Sequence, residues 1–406
     1  MDCCDSQPDL ISFDDALQRL VQKSAPVVGI EQVPVAQAVG RVLAESPVSS
    51  VSVPPADNSS MDGYAVNTGD LSADDETLLP VSQRIPAGAA PEQLRAGTCA
   101  RIFTGAEIPA GADAVVMQEN VRVDGDNVWL PSAVVAGSNI RREGQDIVSG
   151  SAVLAEGRVL NPADLGMLAS VGLSQVSVYK PLRVAILSKG DELVEPGDRL
   201  KAGQIYNSNR YILSGLLQGL GMDIVDVGRV ADTREATLSA LKQAASQADV
   251  IISTGGVSVG EEDHVKAAVE ELGQLDLWKI RIKPGKPVAY GRVGETPFIG
   301  LPGNPTSTLI TFCLLARPCL MGLQGASYQP PLSLPVKAGF IRTRAITRQE
   351  FIRVRVENGV AAPYGNQSSG VLASASWAHG VAVIPPQMQV AEGDEIAFIP
   401  FSELLS

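Results

Sequence analysis

The sequence predicts a multidomain α/β protein. Its centre is a doubly wound, mostly parallel α/β module, preceded by a β-rich module and followed by a small C-terminal β-barrel. Three observations predict this. From residue 181 onward, apolar strand-like runs alternate with helical runs, the pattern of a parallel sheet covered by helices on both faces. From about 50 to 145, short Val-rich runs alternate with Gly, Pro, Asp and Asn turns. After Gln329-Pro330-Pro331 the chain turns β-like again, around a Glu357-Asn358-Gly359 hairpin signal.

Taken in order, SFDDALQRLVQKS (12–24) reads as an amphipathic helix, with Ser12 as N-cap and Asp15 three residues on. Strands are expected at 81–88, 98–103, 113–123 and 127–131. NPADLGMLASVG (161–172) returns to helix, capped by Asn161 with Pro162 at the first helical position. The central module then runs strand 182–188, helix 208–221, strand 222–230, helix 233–246, strand 249–256 and helix 264–273. Strands near 275–282, 287–292 and 297–301 follow, then a long helix from Asn304 to Met321. The expected divisions are 1–48 with 146–178 as a helical linker and dimerisation domain, 49–145 as a β-rich insertion, 179–328 as the α/β domain and 329–406 as the barrel. No period of 20–50 residues repeats, which excludes a solenoid.

Composition narrows the function. The 406 residues carry a formal net charge of −13, with 45% hydrophobic, 19% charged and only 4% aromatic residues. Such a chain is too apolar for disorder, and its core rests on aliphatic side chains. Its acidity argues against a nucleic-acid or anionic-membrane partner, while leaving room for a local basic pocket. Two histidines, His264 and His379, exclude a His-rich metal centre. Five irregularly spaced cysteines are no disulfide framework and fit a reducing cytoplasm; Cys3 and Cys4 lie in the N-terminal segment. MDCCDSQPDL has no basic segment followed by an apolar core, so no signal peptide is expected. No uninterrupted apolar run reaches the roughly 18 residues of a membrane span.

The residues that carry chemistry follow the strands of the central module, where α/β sheets bind ligands. Ser253-Thr254-Gly255-Gly256-Val257-Ser258-Val259-Gly260, then Glu261-Glu262-Asp263, is a buried strand entering a glycine-rich turn and a helix start. Backbone amides of such a turn can converge on an anion. A tight connection capped by Asp263 reads equally well. The run is neither a Walker loop nor GxGxxG, so no nucleotide class follows. Asp191 and Glu192 in Ser188-Lys189-Gly190-Asp191-Glu192-Leu193, together with Asp232 and Asp263, all follow strand ends of one sheet. Hard oxygen donors of this kind suit Mg²⁺ bridging protein to phosphate, and each singly also suits turn chemistry. In Lys279-Ile280-Arg281-Ile282-Lys283-Pro284-Gly285-Lys286-Pro287, alternation puts Lys279, Arg281 and Lys283 on one strand face, an anion site or a solvated stripe. Leu301-Pro302-Gly303-Asn304-Pro305 starts a helix directly after a strand, with Asn304 as N-cap.

Together with PPADNSSMDGYAV (54–66) and RIFTGA (101–106), these motifs occur in an order that resembles the MoeA family, the molybdopterin molybdenumtransferases that include the E domain of gephyrin. The resemblance covers nearly the whole chain. It implies a central module of the molybdopterin-binding type and insertion of molybdate into adenylylated molybdopterin, releasing AMP and forming molybdenum cofactor, with Mg²⁺ or a similar ion assisting. It also implies an elongated homodimer whose cleft joins the β-rich module of one subunit to the α/β module of the other, and contact with a molybdopterin adenylyltransferase. By matched position it implies Asp62, Thr104, Glu192, Asp232 and Asp263 as catalytic residues. The implied metal ligands are Glu192, Asp232 and Asp263. Gly255, Gly256, Ser258, Gly260, Lys279, Lys283, Pro302 and Pro305 are the implied substrate-binding residues. This chain departs from the family pattern at Lys189, where a small residue is common, and at Glu262-Asp263-His264 in place of a more usual Asp-Tyr ending. Two other readings stand beside it: an ATP-using adenylyltransferase, for which the α/β unit alone would suffice, and a non-enzymatic scaffold.

Overall fold

The computed structural model describes residues 10–256 and 264–405. Ser258, Gly260 and Asp263, like Cys3 and Cys4, lie outside the described residues. The centre is a seven-stranded sheet in the order Leu10–Ile11, Gly273–Ile280, Pro287–Val293, Thr296–Leu301, Val250–Thr254, Arg183–Lys189, Asp223–Val230. Its pairings are parallel except on either side of Pro287–Val293, where short connections force antiparallel neighbours. Val250, Ile251 and Ile252 are all buried, as a strand covered on both faces requires. One face packs on helix Ser208–Gly219 and on the long helix that begins at Pro305. The other packs on helices Arg234–Gln247 and His264–Leu272.

The long helix is not uniform. Residues Pro305–Thr311 are α-helical, Phe312–Ala316 form a wider π turn, and Arg317–Leu323 resume the α-helix. Pro318 explains this: it has no N–H to give, and its ring crowds the carbonyl four residues back, so the preceding turn widens. Pro305–Leu323 has the length and hydropathy of a membrane-crossing helix, which an uninterrupted-run count had not suggested, yet most of it is buried in this core.

The helix at 12–24 forms as Phe13–Gln22, with the Ser12 side chain accepting from the Asp15 N–H at 3.0 Å. Its Ala16 and Leu20 are buried in the central core, and Leu10–Ile11 adds an edge strand to the central sheet. The segment 1–48 therefore divides. Only its later part joins residues 146–178: Ile30–Pro34 pairs with Gln175–Tyr179, and helix Pro162–Ser170, held by an Asn161–Asp164 capping box, packs on the same cluster.

Residues 58–130 contribute a six-stranded sheet ordered Ala114–Met117, Gly63–Val66, Cys99–Ile102, Thr77–Ile85, Asn127–Leu130, Arg122–Asp124. The strand expected at 81–88 starts earlier and stops before Pro86; a bulge between Val81 and Gln83 lets it serve two partners. At the C-terminal end, Leu334–Ala338, Gln349–Glu357, Val360–Pro363, Gly380–Ile384 and Glu395–Pro400 close into a five-stranded barrel through pairing of Gln349–Glu357 with Gly380–Ile384. The hairpin turn falls at Asn358 and Gly359, both with positive φ (51° and 76°), as the expected tight turn demands. Ile282–Lys283, continuing the strand Gly273–Ile280, pairs with Gln349–Glu350 and ties the barrel to the central sheet.

Cys99, Cys313 and Cys319 are buried free thiols; burial pushes Cys99 up to about 11 and the other two up to about 12. They are neutral near pH 8 and shielded. In a Cys3→Ser/Cys4→Ser background, the native protein should show no fast reaction with a disulfide reagent at pH 8 and three equivalents in denaturant. Rapid labelling of the native protein would contradict the packing.

Candidate functional site

A cavity of about 520 Å³ opens beyond the carboxyl ends of the central strands. Four segments line it. Gly255 and Gly256 end strand Val250–Thr254, both with positive φ. Lys283-Pro284-Gly285-Lys286-Pro287 forms one wall, and Pro302, Gly303, Asn304 and Ser307 form the start of the long helix. Arg348, Gln367, Ser368 and Ser369 come from the barrel region. Among the described residues, the lining holds three cationic side chains, Lys283, Lys286 and Arg348, and no carboxylate, within a chain of net charge −13.

Each wall has a local cause. Gly255 N–H donates to the Leu301 carbonyl at 3.0 Å, fixing the two strand ends side by side. Gly285 has φ +104°, and a Cβ there would lie 2.3 Å from Thr311 Cγ2, so only glycine lets this turn sit on the long helix. Asn304 occupies the N-cap position but makes no capping bond. Its Nδ2 donates to Ser369 Oγ at 3.1 Å, and the Thr306 N–H donates to the Ser369 carbonyl at 3.0 Å. The expected capping role is thus replaced by a tie to the barrel loop.

That loop is held by Arg353, which is buried. Its Nε donates to Ser374 Oγ at 3.1 Å and its Nη2 to the Ser368 carbonyl at 3.3 Å. Its backbone N–H donates to Gln367 Oε1 at 3.0 Å. Burial pulls its guanidinium down to about 10, still charged at neutral pH. Glu350, 5% exposed at its side chain, pairs with Lys283 at 3.1 Å and also with Arg342.

The sequence-derived site residues divide into groups. Gly255, Gly256, Lys283 and Pro302 line the cavity. Lys279 does not; it sits in the sheet opposite Pro287 and Leu10, and Pro305 lies just behind the rim. Glu192 is exposed on the neighbouring turn. Asp232 is engaged elsewhere: the Lys189 ammonium, 5% exposed, sits 2.5 Å from its Oδ1. Among the described residues no three His, Cys, Asp or Glu side chains converge on a point. The described residues therefore do not form a ready Mg²⁺ site of the expected kind. A larger cavity of about 880 Å³, lined by Phe13, Leu17, Met321, Tyr328 and Phe351 among others, contains none of these residues.

Asp62 and Thr104 meet in the β-rich sheet because antiparallel pairing of Gly63 with Ile102 brings their turns together. Asp62 Oδ1 accepts from both the backbone N–H and the hydroxyl of Thr104, each at 2.8 Å. Those bonds, with Arg101 nearby, hold its carboxyl below the ordinary range.

Comparison with known proteins decides the family. The chain matches the MoeA N-terminal region (domain I and II) over residues 11–172, a probable molybdopterin binding domain over 185–322, and the MoeA C-terminal region (domain IV) over 335–401. The chain belongs to the MoeA family. Among its relatives are a molybdopterin molybdenumtransferase of Haemophilus influenzae, 37% identical over 85% of each chain, and molybdopterin molybdenumtransferase 2 of Mycobacterium tuberculosis, 35% identical over 93% of this chain and 97% of that one. A crystal structure of a molybdopterin biosynthesis MoeA protein from Pyrococcus horikoshii, 30% identical, superposes with a TM-score of 0.83 over 96% of this chain and 100% of that one.

Sequence reasoning missed Arg348, Gln367, Ser368 and Ser369. The available signal was Glu350 and Arg353, two of the three ionisable residues that interrupt the apolar positions of the strand run QEFIRVRV. The Asp62 contact is testable by carbon-13 NMR titration. Asp62 should titrate below an ordinary aspartate, and Thr104→Val should move it upward by removing one of the two donors. An unchanged titration would mean the hydroxyl bond does not form in solution.

Proposed function

We propose that this MoeA-family enzyme inserts molybdenum from molybdate into adenylylated molybdopterin, releasing AMP and forming molybdenum cofactor. The carrying observation is the cavity with Lys283, Lys286 and Arg348 in its lining and no carboxylate among the described residues that line it. Both substrates are oxyanions, and such a lining favours them electrostatically. Lys283, positioned by Glu350, would hold the oxyanion beside Lys286 and Arg348. The Gly255-Gly256 turn lets backbone approach closely, and the start of the long helix adds its positive end. Asp62 and Thr104, remote from this cavity in the sequence of sheets, would close the cleft from a second subunit of a homodimer. A cytoplasmic setting and a partnership with the adenylyltransferase that supplies the labile substrate complete this reading. Mg²⁺ enters it as an ion carried on the substrate's phosphates rather than one held in a preformed protein cage.

The direct test is AMP release on incubation with adenylylated molybdopterin and molybdate. Turnover of molybdopterin with ATP instead would favour an adenylyltransferase, and no turnover with either would sink both enzymatic readings. A hydrogen bond to a charged group contributes about 1.5–3 kcal/mol, or roughly 10- to 100-fold. Lys286→Ala and Arg348→Ala should each raise the KM for molybdate by about that factor, while Lys279→Ala should stay near wild type. Equal losses at all three would move the oxyanion site toward Lys279. Light scattering should give twice the 42.5 kDa chain mass; an active monomer would overturn the shared cleft.

A further inference from the structure

The sheet edge next to the cavity carries a feature that the metal expectation did not include. Arg183–Lys189 and Asp223–Val230 are parallel neighbours, with Lys189 opposite Val230, so the turns that follow them lie side by side. Two contacts join those turns. The Lys189 ammonium is 2.5 Å from Asp232 Oδ1, and the Asp232 N–H donates to Asp191 Oδ1 at 3.4 Å. The Lys189 side chain is 5% exposed and that of Asp232 is 37% exposed, so the cation is the inner partner and the carboxylate forms the outer face.

Gly190 makes this arrangement possible. Its φ is +148°, and a Cβ there would lie 2.5 Å from Glu192 Oε2 and 2.7 Å from Oε1, so the chain folds the Glu192 carboxylate back over the glycine. Glu192 is left exposed, while Asp191 and Asp232 are bound to each other's turn. A divalent cation on Asp232 would have to sit against a buried ammonium. That ammonium cannot swing away without losing its partner inside the protein, where an unpaired charge is costly.

We infer that Lys189 takes the place on Asp232 that a divalent cation would occupy. In this chain Asp232 is therefore a positioning residue that holds a fixed protein cation at the sheet edge, not a metal ligand. Among the described residues of this edge, the exposed carboxylate left for a cation arriving with a phosphate-bearing substrate is then Glu192. Lys189 neutralises the Asp232 carboxylate on that edge whatever the metal concentration. Cancelling that charge lowers the repulsion that an anionic substrate would meet there. This last point rests on the oxyanion-site reading above; the occupancy of Asp232 does not.

The test measures Mn²⁺ binding by electron paramagnetic resonance, on the full chain without substrate. Asp232→Asn alters an outer, partly exposed carboxylate and should leave Mn²⁺ affinity within twofold of wild type. A loss of tenfold or more would show that Asp232 ligates the ion and would overturn the inference. Lys189→Met, if folded by circular dichroism, should tighten Mn²⁺ binding at least tenfold by freeing Asp232, and adding Asp232→Asn to it should cancel the gain. Lys189→Arg should keep the wild-type affinity. A folded Lys189→Met protein with unchanged affinity would also overturn the inference. Because no substrate is present, failure here leaves the AMP-release result untouched, and failure of AMP release leaves the Mn²⁺ result readable.

Discussion

The ion pair of Lys283 with the buried carboxylate of Glu350 joins two folding units at the point where the cavity forms. Ile282–Lys283 leaves the central sheet and pairs in parallel with Gln349–Glu350 of the barrel, so the strand and the charge pair act together. Glu350 also binds Arg342, which leaves a buried carboxylate with two cationic partners. Removing either cation leaves the buried carboxylate with a single partner, so both bear on the joint. The barrel loop at 367–369 reaches the start of the long helix only because this joint holds the barrel in register. Arg353 then fixes the loop from behind through Ser368, Ser374 and Gln367.

The cavity is thus built from three layers of constraint. The sheet sets the strand ends side by side, glycine at 285 lets one turn settle on a helix, and buried charges in the barrel hold the last wall. Glu350, Arg342 and Arg353 do not line the space they shape. The cations that do face it, Lys283, Lys286 and Arg348, come from two units that a purely local reading treats separately.

Much of this was legible in the sequence. Helices with clear caps, such as those after Ser12 and Asn161, and hairpins with paired left-handed residues, as at Asn358-Gly359, follow from local chemistry. So did the glycine-rich strand end and the KPGKP wall. What could not be read were contacts set by distant parts of the chain. Asn304 looked like a helix cap, but a loop from the barrel offered its amide a better partner. Asp232 is implied as a metal ligand by matched position, and strand order adds a contact with Lys189 that the local motif does not contain. Helix Phe13–Gln22 looked like part of an N-terminal unit, yet its apolar face matched the central core. In each case a neighbour from elsewhere in the chain adds a contact that the local pattern does not contain.

That first strand has a consequence for how the molecule is made. Leu10 and Ile11 lie in parallel beside Lys279 and Ile280 at the far edge of the central sheet. On the ribosome they emerge before their partner, which exists only after three other strands of the central sheet have been synthesised. The β-rich sheet, whose strands run from Gly63 to Leu130 with no such distant partner, can complete its pairings first. The helix Phe13–Gln22 meanwhile carries an apolar stripe with nothing to cover it. Ala16 and Leu20 of that stripe are covered only when the central core is there to receive them.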